Sequence, residues 1–164
     1  EMGEQHTEEQ TAVFSAQDKA LLNELLSTTF NSVTRIEEKS LNNRLLKGLT
    51  IAEIHTLVAI GLHDSVPMKT IAARLGVTLA TVNASVGKLE KKDYLTRTRS
   101  EQDRRQVLAR LTNSGRKAVR VHDAFHRKMV ESALEGLSVE EEKALVKALG
   151  NVKAFFDEEY EAAE

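Results

Sequence analysis

A mainly α-helical fold carrying one small β-hairpin is what the sequence predicts, and three observations predict it. Leu, Val, Ile and Ala recur at helical spacing over most of the 164 residues, with a single Pro to interrupt them. Between Val66 and Gly115 two short helical segments, Met68–Leu75 and Thr78–Lys92, meet at the tight turn Gly76-Val77. Directly after them, two strand-like runs, Tyr94–Arg99 and Val107–Leu111, enclose the charged tip Glu101-Gln102-Asp103-Arg104-Arg105. Together these describe a winged helix-turn-helix, set between long helices that pair two copies of the chain.

The elements follow in order. Residues 1–14 are polar and acidic and are expected to be a flexible N-terminus. Residues 15–48 hold an N-terminal dimerisation helix. Ser15 with Asp18 resembles an N-cap with a first-turn acid, and Leu22, Leu25, Leu26, Phe30, Val33 and Ile36 form one apolar stripe as far as about Ser40. Residues 49–111 form the DNA-binding winged helix-turn-helix. Thr50-Ile51-Ala52-Glu53 is a capping box that opens its first helix, with Ile54, Leu57 and Val58 turned inward. Residues 112–160 hold two C-terminal dimerisation helices. Thr112 caps the first, which runs through Val119, Phe125, Met129, Val130 and Leu134. Ser138-Val139-Glu140-Glu141 is a capping box for the second, which carries Leu145, Leu149, Val152, Phe155 and Phe156. The terminal stripes have no evident partner inside one subunit, so a homodimer is expected, with two heads on a two-fold axis reading a palindromic site about one helical turn between half-sites. A monomeric bundle is the plainer alternative.

Charge separates along the chain in the same way. The net formal charge is -2, yet Lys88–Lys128 holds 13 Lys/Arg against 5 Asp/Glu, a local net of +8. A basic middle between acidic ends suits a phosphate-facing surface, although a solvated charged region would also read this way on charge alone. The chain has no Cys, which excludes disulfides, thiolate metal sites and a Cys nucleophile. No apolar run approaches the roughly 20 residues of a membrane span and no signal peptide is visible, so a cytoplasmic location without membrane association is expected. There is no P-loop, dinucleotide glycine pattern or nucleophile elbow; no catalytic residue is assigned, no enzyme is expected and no cofactor is expected.

On a helical wheel Leu79, Val82, Val86 and Leu89 of the second helix fall on one side and are expected in the core. The other side carries Ala80, Thr81, Ala84, Gly87, Lys88 and Lys91, with Thr78 and Ser85 at one border and Asn83 at the other. Small residues let a helix lie deep in the major groove, where hydroxyls and an amide meet base edges or phosphates and lysines meet phosphates. In the hairpin tip, Arg105 is expected in the minor groove, Asp103 beside it holding the guanidinium, and Arg104 on phosphate. The DNA-binding set is therefore Thr78, Thr81, Asn83, Ala84, Ser85, Lys88, Arg99, Asp103, Arg104 and Arg105.

These residues also carry a resemblance. Asp103-x-Arg105, five residues, Leu111-Thr112, two residues and Gly115, preceded by Leu89-Glu90-Lys91-Lys92, resembles the MarR family of winged-helix regulators over nearly the whole chain. Asp93 departs from it, standing where that family usually ends the recognition helix with Gly; Asp accepts a left-handed backbone better than most residues. Within the family the chain looks like the FabT group, the fatty-acid-synthesis repressors of Gram-positive bacteria. Ile36-Glu37-Glu38, His55-Thr56, Ile60-Gly61, Val77-Thr78-Leu79, Arg99–Arg105, His122, Phe125-His126 and Met129-Val130-Glu131 carry that likeness. It implies repression from palindromes at fatty-acid synthesis promoters, with long-chain acyl-acyl carrier protein as corepressor. Candidate walls for the acyl chain are Phe30, Val33, Ile54, Leu57, Val58, Phe125 and Met129, each of which taken singly reads more readily as ordinary core. Arg116, Lys117, Arg120, Arg127 and Lys128 could receive the acidic carrier.

Two alternatives stay open. A regulator of this kind could be released from DNA by a small aromatic ligand. His122 and His126, at i and i+4 on one helix face, could chelate a metal together with His55 or His63, although paired core histidines are the simpler reading and no metal ligand is assigned.

Overall fold

The structure, a computed structural model, describes residues 15–40, Leu46 and residues 48–163. The segment expected to be a flexible N-terminus, 1–14, lies outside the described residues. Among the described residues nine elements follow one another: α1 (Ala16–Ser40), α2 (Ile51–Ile60), β1 (Val66–Pro67), α3 (Met68–Leu75), α4 (Leu79–Lys91), β2 (Leu95–Arg99), β3 (Val107–Leu111), α5 (Asn113–Leu134) and α6 (Val139–Ala162).

Local chemistry sets most of these boundaries. At α1 the Ser15 hydroxyl accepts from the Asp18 amide at 3.1 Å, while the Asp18 carboxylate takes the Ser15 amide at 3.0 Å. The boxes at α2 and α6 both close reciprocally, through Thr50 with Glu53 and Ser138 with Glu141. Gly76 ends α3 with φ +63°, the left-handed cap that a short helix-turn-helix turn requires. Asp93 does the same after α4 with φ +62°, so it adopts the conformation that glycine would have supplied.

The hairpin β2–β3 pairs Leu95 with Leu111 and Arg99 with Val107, as the alternation predicts. A third strand was not foreseen. Val66–Pro67 pairs antiparallel with Leu108–Ala109, giving the order β1-β3-β2. It has only two residues, too few to show period-two alternation, and its single signal is a proline at a sheet edge, where no amide is needed for the ladder.

One close approach locks the hairpin to α5. The Thr112 hydroxyl donates to the Asp93 carbonyl at 2.7 Å and accepts from the Gly115 amide at 3.2 Å, and the Thr112 amide donates to the Tyr94 carbonyl at 3.1 Å. A Cβ on Gly115 would sit 2.0 Å from the Tyr94 carbonyl oxygen, so only glycine lets the helix come this near. This geometry accounts for Leu-Thr-x-x-Gly without reference to any relative.

The core is the reading head. Ile54, Leu57 and Ile60 of α2, Ile71 of α3, Val82, Val86 and Leu89 of α4, Leu95 and Ala109 of the sheet and Ala118 of α5 are all essentially inaccessible. Leu79 is a correction: expected inside, it is 40% exposed. It is the first residue of α4, one turn ahead of the part that packs on α2, so its side chain lies in the open cleft beside the hairpin. The long helices contribute little to this core. α1 buries only Glu37 among its described side chains and α6 buries none; Leu22, Leu25, Phe30, Ile36, Leu149, Phe155 and Phe156 are each about half exposed. Phe30 meets Phe156 edge-on at 6.5 Å between ring centroids, one of the approaches of α1 to α6.

Candidate nucleic-acid interface

α4 presents its small-residue face outward, with Ala80, Thr81, Asn83, Ala84, Lys88 and Lys91 exposed. Thr78 caps the helix, its hydroxyl accepting from the Thr81 amide at 3.2 Å and lying 2.9 Å from the Thr81 hydroxyl. Each hydroxyl keeps hydrogen-bonding capacity for a partner outside the protein. A Cβ on Gly87 would meet nothing within 4 Å, so packing inside the subunit does not require glycine there.

Ser85 behaves differently from the other hydroxyl residues. It is half-buried, and its Oγ lies 3.0 Å from the Thr56 Oγ1. The single Thr56 proton goes to the Ala52 carbonyl at 2.8 Å, so Ser85 is the donor of the pair. The residue expected at the edge of the outward face instead uses its proton to join α4 to α2. Toward DNA it therefore keeps only its acceptor lone pairs.

At the hairpin tip, Arg104 and Arg105 are exposed, and Arg99 stands exposed at the end of β2. The expected support by Asp103 takes another form. Its carboxylate accepts from the Arg105 backbone amide at 3.0 Å instead of gripping the guanidinium, so it shapes the turn and leaves the Arg105 side chain unclamped by it. Ser100, to which the sequence assigns no role of its own, is buried. Its amide donates to the Gln106 carbonyl at 3.0 Å and its hydroxyl to the Gln102 side-chain oxygen at 3.0 Å, while Gln106 donates to the Asp103 carbonyl at 2.9 Å. The tip is thus a hydrogen-bonded loop.

Two ion pairs, both missed in the sequence, hold α4 in its setting. Arg97 of β2 reaches back to Glu90 of α4, Nε to Oε2 at 2.9 Å, and the hydrogen bond from this guanidinium holds the Glu90 carboxyl below its usual pKa against the opposing effect of burial. Lys92 bonds both Glu53 oxygens at 2.8 Å and the Gly48 carbonyl at 2.7 Å, fixing the end of α4 to the start of α2. Burial pushes the Glu53 carboxyl up, but the Lys92 ammonium and the Thr50 amide outweigh it and hold its pKa low. Glu90 and Arg97 are seven residues apart across a helix end and a turn, a spacing with no standard signature. The outcome is a cleft of about 620 Å³ between α3–α4 and the hairpin, lined by Met68, Leu79, Asn83, Arg97, Asp103 and Arg105. It brings together one helix residue and two tip residues chosen for DNA.

The acyl-wall set divides. Val33, Phe125 and Met129 line one groove of about 470 Å³ between α1 and α5, joined by Ile36 and Lys128. Phe30 lines a second groove, with Phe155 and Phe156 of α6. Ile54 and Leu57 are corrected: both are fully buried in the reading head, because the inward face of α2 packs on α3 and α4. Val58, expected inward on α2, is 37% exposed and lines neither groove.

The histidines converge, though not with every residue considered. His55, His122 and His126 gather around Glu37 of α1, which the sequence had not placed with them; His63 is exposed in the loop after α2 and stands apart. Burial lowers the His122 pKa, the nearby His126 and His55 lower it further, and Glu37 and Asp123 oppose them more weakly.

With this geometry established, known proteins identify the class. Residues 47–106 match the profile described as MarR family. The HTH-type transcriptional regulator MgrA of Staphylococcus aureus is 30% identical over 143 residues, which cover 86% of this chain and 96% of MgrA. The chain therefore belongs to the MarR family of winged-helix, DNA-binding transcriptional regulators, which are not enzymes. Among solved structures it is similar to Streptococcus pneumoniae FabT in complex with DNA, with 41% identity, a TM-score of 0.77, and coverage of 86% of this chain and 99% of that one. The HTH-type regulator YfiV of Bacillus subtilis is 30% identical over 102 residues, or 62% of this chain; the match spans 63% of YfiV, under two thirds of its length. No helix among the described residues is long and apolar enough to cross a membrane.

Proposed function

We propose that this chain is a cytoplasmic homodimeric repressor of fatty-acid synthesis genes, reading palindromic promoter sites, with long-chain acyl-acyl carrier protein as corepressor. The observation that carries the reading is the 41% identity, over 86% of the chain, to a FabT solved on DNA. The molecule offers the parts such a reading needs. The outward face of α4, with Thr78, Thr81, Asn83, Ala84 and Lys88, enters the major groove. Arg105 reaches the minor groove, and Arg99 and Arg104 meet phosphate. The half-exposed stripes of α1 and α6 pair two subunits, the segments 15–48 and 112–160 serving as the dimer base and 49–111 as the head.

For the acyl chain, the groove lined by Val33, Ile36, Phe125 and Met129 is the site we favour. It lies between two helices of the dimer base, so filling it sets the spacing of the heads. A corepressor acts by binding the DNA-competent spacing more tightly than the alternatives. Lys128 at the groove, with Arg116, Lys117, Arg120 and Arg127 along the same helix, gives an acidic carrier a basic surface.

The test is binding of the full chain to a labelled fatty-acid synthesis promoter fragment and to random DNA of equal length, at one stated salt concentration, with the mass of the complex measured in parallel. Two chains per fragment and a clear preference for the promoter support the reading. Equal affinity for both DNAs, or one chain per fragment, contradicts it.

A further inference from the structure

Four side chains from three helices gather below the reading head. Glu37 Oε1 of α1 lies 2.9 Å from His126 Nε2, 3.5 Å from His122 Nε2 and 3.8 Å from His55 Nε2. The two α5 nitrogens, one helical turn apart, lie 3.1 Å from each other. Ligand atoms of Glu37, His55 and His122 all fall within 4.8 Å of one another; His126 adjoins Glu37 and His122 but stands outside that three-way cluster.

Hydrogen bonding alone accounts poorly for this arrangement. A single carboxylate oxygen faces three ring nitrogens, and the Nε2 atoms of His122 and His126 point at each other with room for one proton between them. Glu37 is also the only buried side chain described on α1, where a carboxylate needs a compensating cation. The spacings do fit a metal. Bonds of about 2.0–2.1 Å to imidazole nitrogen and 2.0–2.2 Å to carboxylate oxygen, in a tetrahedron, put neighbouring ligand atoms roughly 3.3–3.5 Å apart. The observed separations of 2.9, 3.1, 3.5 and 3.8 Å straddle that value.

We infer that Glu37, His55 and His122 bind one divalent transition-metal ion of the zinc class, and that His126, beside Glu37 and His122, turns in to complete a four-coordinate site. Three imidazoles and one carboxylate favour such an ion over calcium or magnesium, which take all-oxygen ligand sets. Coordination through Nε2 leaves the proton on Nδ1. His122 Nδ1 is buried without a hydrogen-bond partner, and the Asp123 carboxylate stands 4.0 Å from it, placed to favour that tautomer. The ion would join α1 and α5 of the base to α2 of the head. His55 precedes Thr56, the residue that takes the Ser85 proton from α4. The inference stands on these four residues and does not depend on the acyl reading.

The experiment uses the full chain without a polyhistidine tag, freed of metal by a chelator. It is titrated with zinc against a chromophoric competitor, and separately with cobalt(II). One ion per chain and the ligand-field spectrum of four-coordinate cobalt are expected. Glu37→Gln and His122→Gln should each weaken zinc by more than the roughly 10–100-fold that loss of an outer partner costs, while His63→Gln should bind as the parent does. His126→Gln, at a more open position, serves if His122→Gln does not fold. Substoichiometric binding, a six-coordinate cobalt spectrum of the unaltered chain, or equal zinc affinity in Glu37→Gln and His63→Gln would overturn the assignment.

Discussion

Arg97 on the first hairpin strand grips Glu90 on the recognition helix, its Nε 2.9 Å from the carboxylate. A half-exposed pair of this kind adds little to stability. Its effect is on orientation, because it is a side-chain link between the hairpin and α4 beside their shared cleft. Arg97→Ala should therefore leave the thermal midpoint almost unchanged and weaken promoter binding at least severalfold. Chemical denaturation and anisotropy on the same preparation check it. A large stability loss with normal DNA affinity would show the pair to be structural only.

Arg105 stands exposed at a tip shaped by the Asp103 carboxylate on its own backbone amide. Arg105→Lys keeps the charge but loses the flat guanidinium that suits a narrow minor groove. We expect it to bind more weakly than the parent, and Arg105→Ala more weakly still, with the salt dependence of the alanine variant shallower by about one counterion. Parallel salt titrations measure this. A full-strength Arg105→Ala would remove the tip from the interface.

Asn83 and Ser85 lie two residues apart on α4 and should respond oppositely. Asn83 is exposed in the cleft, so Asn83→Ala should relax sequence choice by roughly 1–3 kcal/mol where it meets a base edge. Ser85 donates inward to Thr56, so Ser85→Ala should cost about 1 kcal/mol of stability and leave base preference unchanged. Binding to a panel of single-base operator variants, alongside urea unfolding, separates the two. A changed preference in Ser85→Ala would return its hydroxyl to the interface.

Acid should release the Lys92–Glu53 clamp. The Glu53 carboxyl titrates below its ordinary 4.5 in the folded chain, burial being outweighed by Lys92 and Thr50. A depressed folded-state pKa contributes stability that is present above the unfolded value and lost as pH falls through the folded one. The loss therefore falls below about pH 4.5. Glu53→Gln should be less stable at neutral pH and should show a flatter acid limb in midpoint-against-pH curves. Parallel curves for both proteins would contradict the assignment.

What could be read in the residues was what local rules govern. Capping boxes, the Gly76 turn and the alternation in Val107–Leu111 each depend on a few neighbouring residues, and each stands where expected. Gly115 was legible as a motif, but its reason, a carbonyl 2.0 Å from where its Cβ would lie, is tertiary. Contacts distant in sequence stayed hidden. Glu37 reaches His126 across 89 positions and Thr56 reaches Ser85 across 29, and no periodicity reports either. Leu79 was misplaced because the wheel gives a side chain's direction but not whether a neighbouring element extends far enough to cover it. Ile54 and Leu57 were apolar residues on a helix expected beside the groove, and only the packing of α2 shows that they are buried in the reading head instead.

The central claim is tested most directly by anisotropy of a labelled fatty-acid synthesis promoter fragment at stated salt, titrated with the full chain alone, with unacylated carrier protein, and with long-chain acyl carrier protein. The account predicts tighter binding with the acylated carrier only, and loss of that gain when Met129→Lys places a charge in the α1–α5 groove. Affinity indifferent to the acyl group, or weakened by it, would contradict the account.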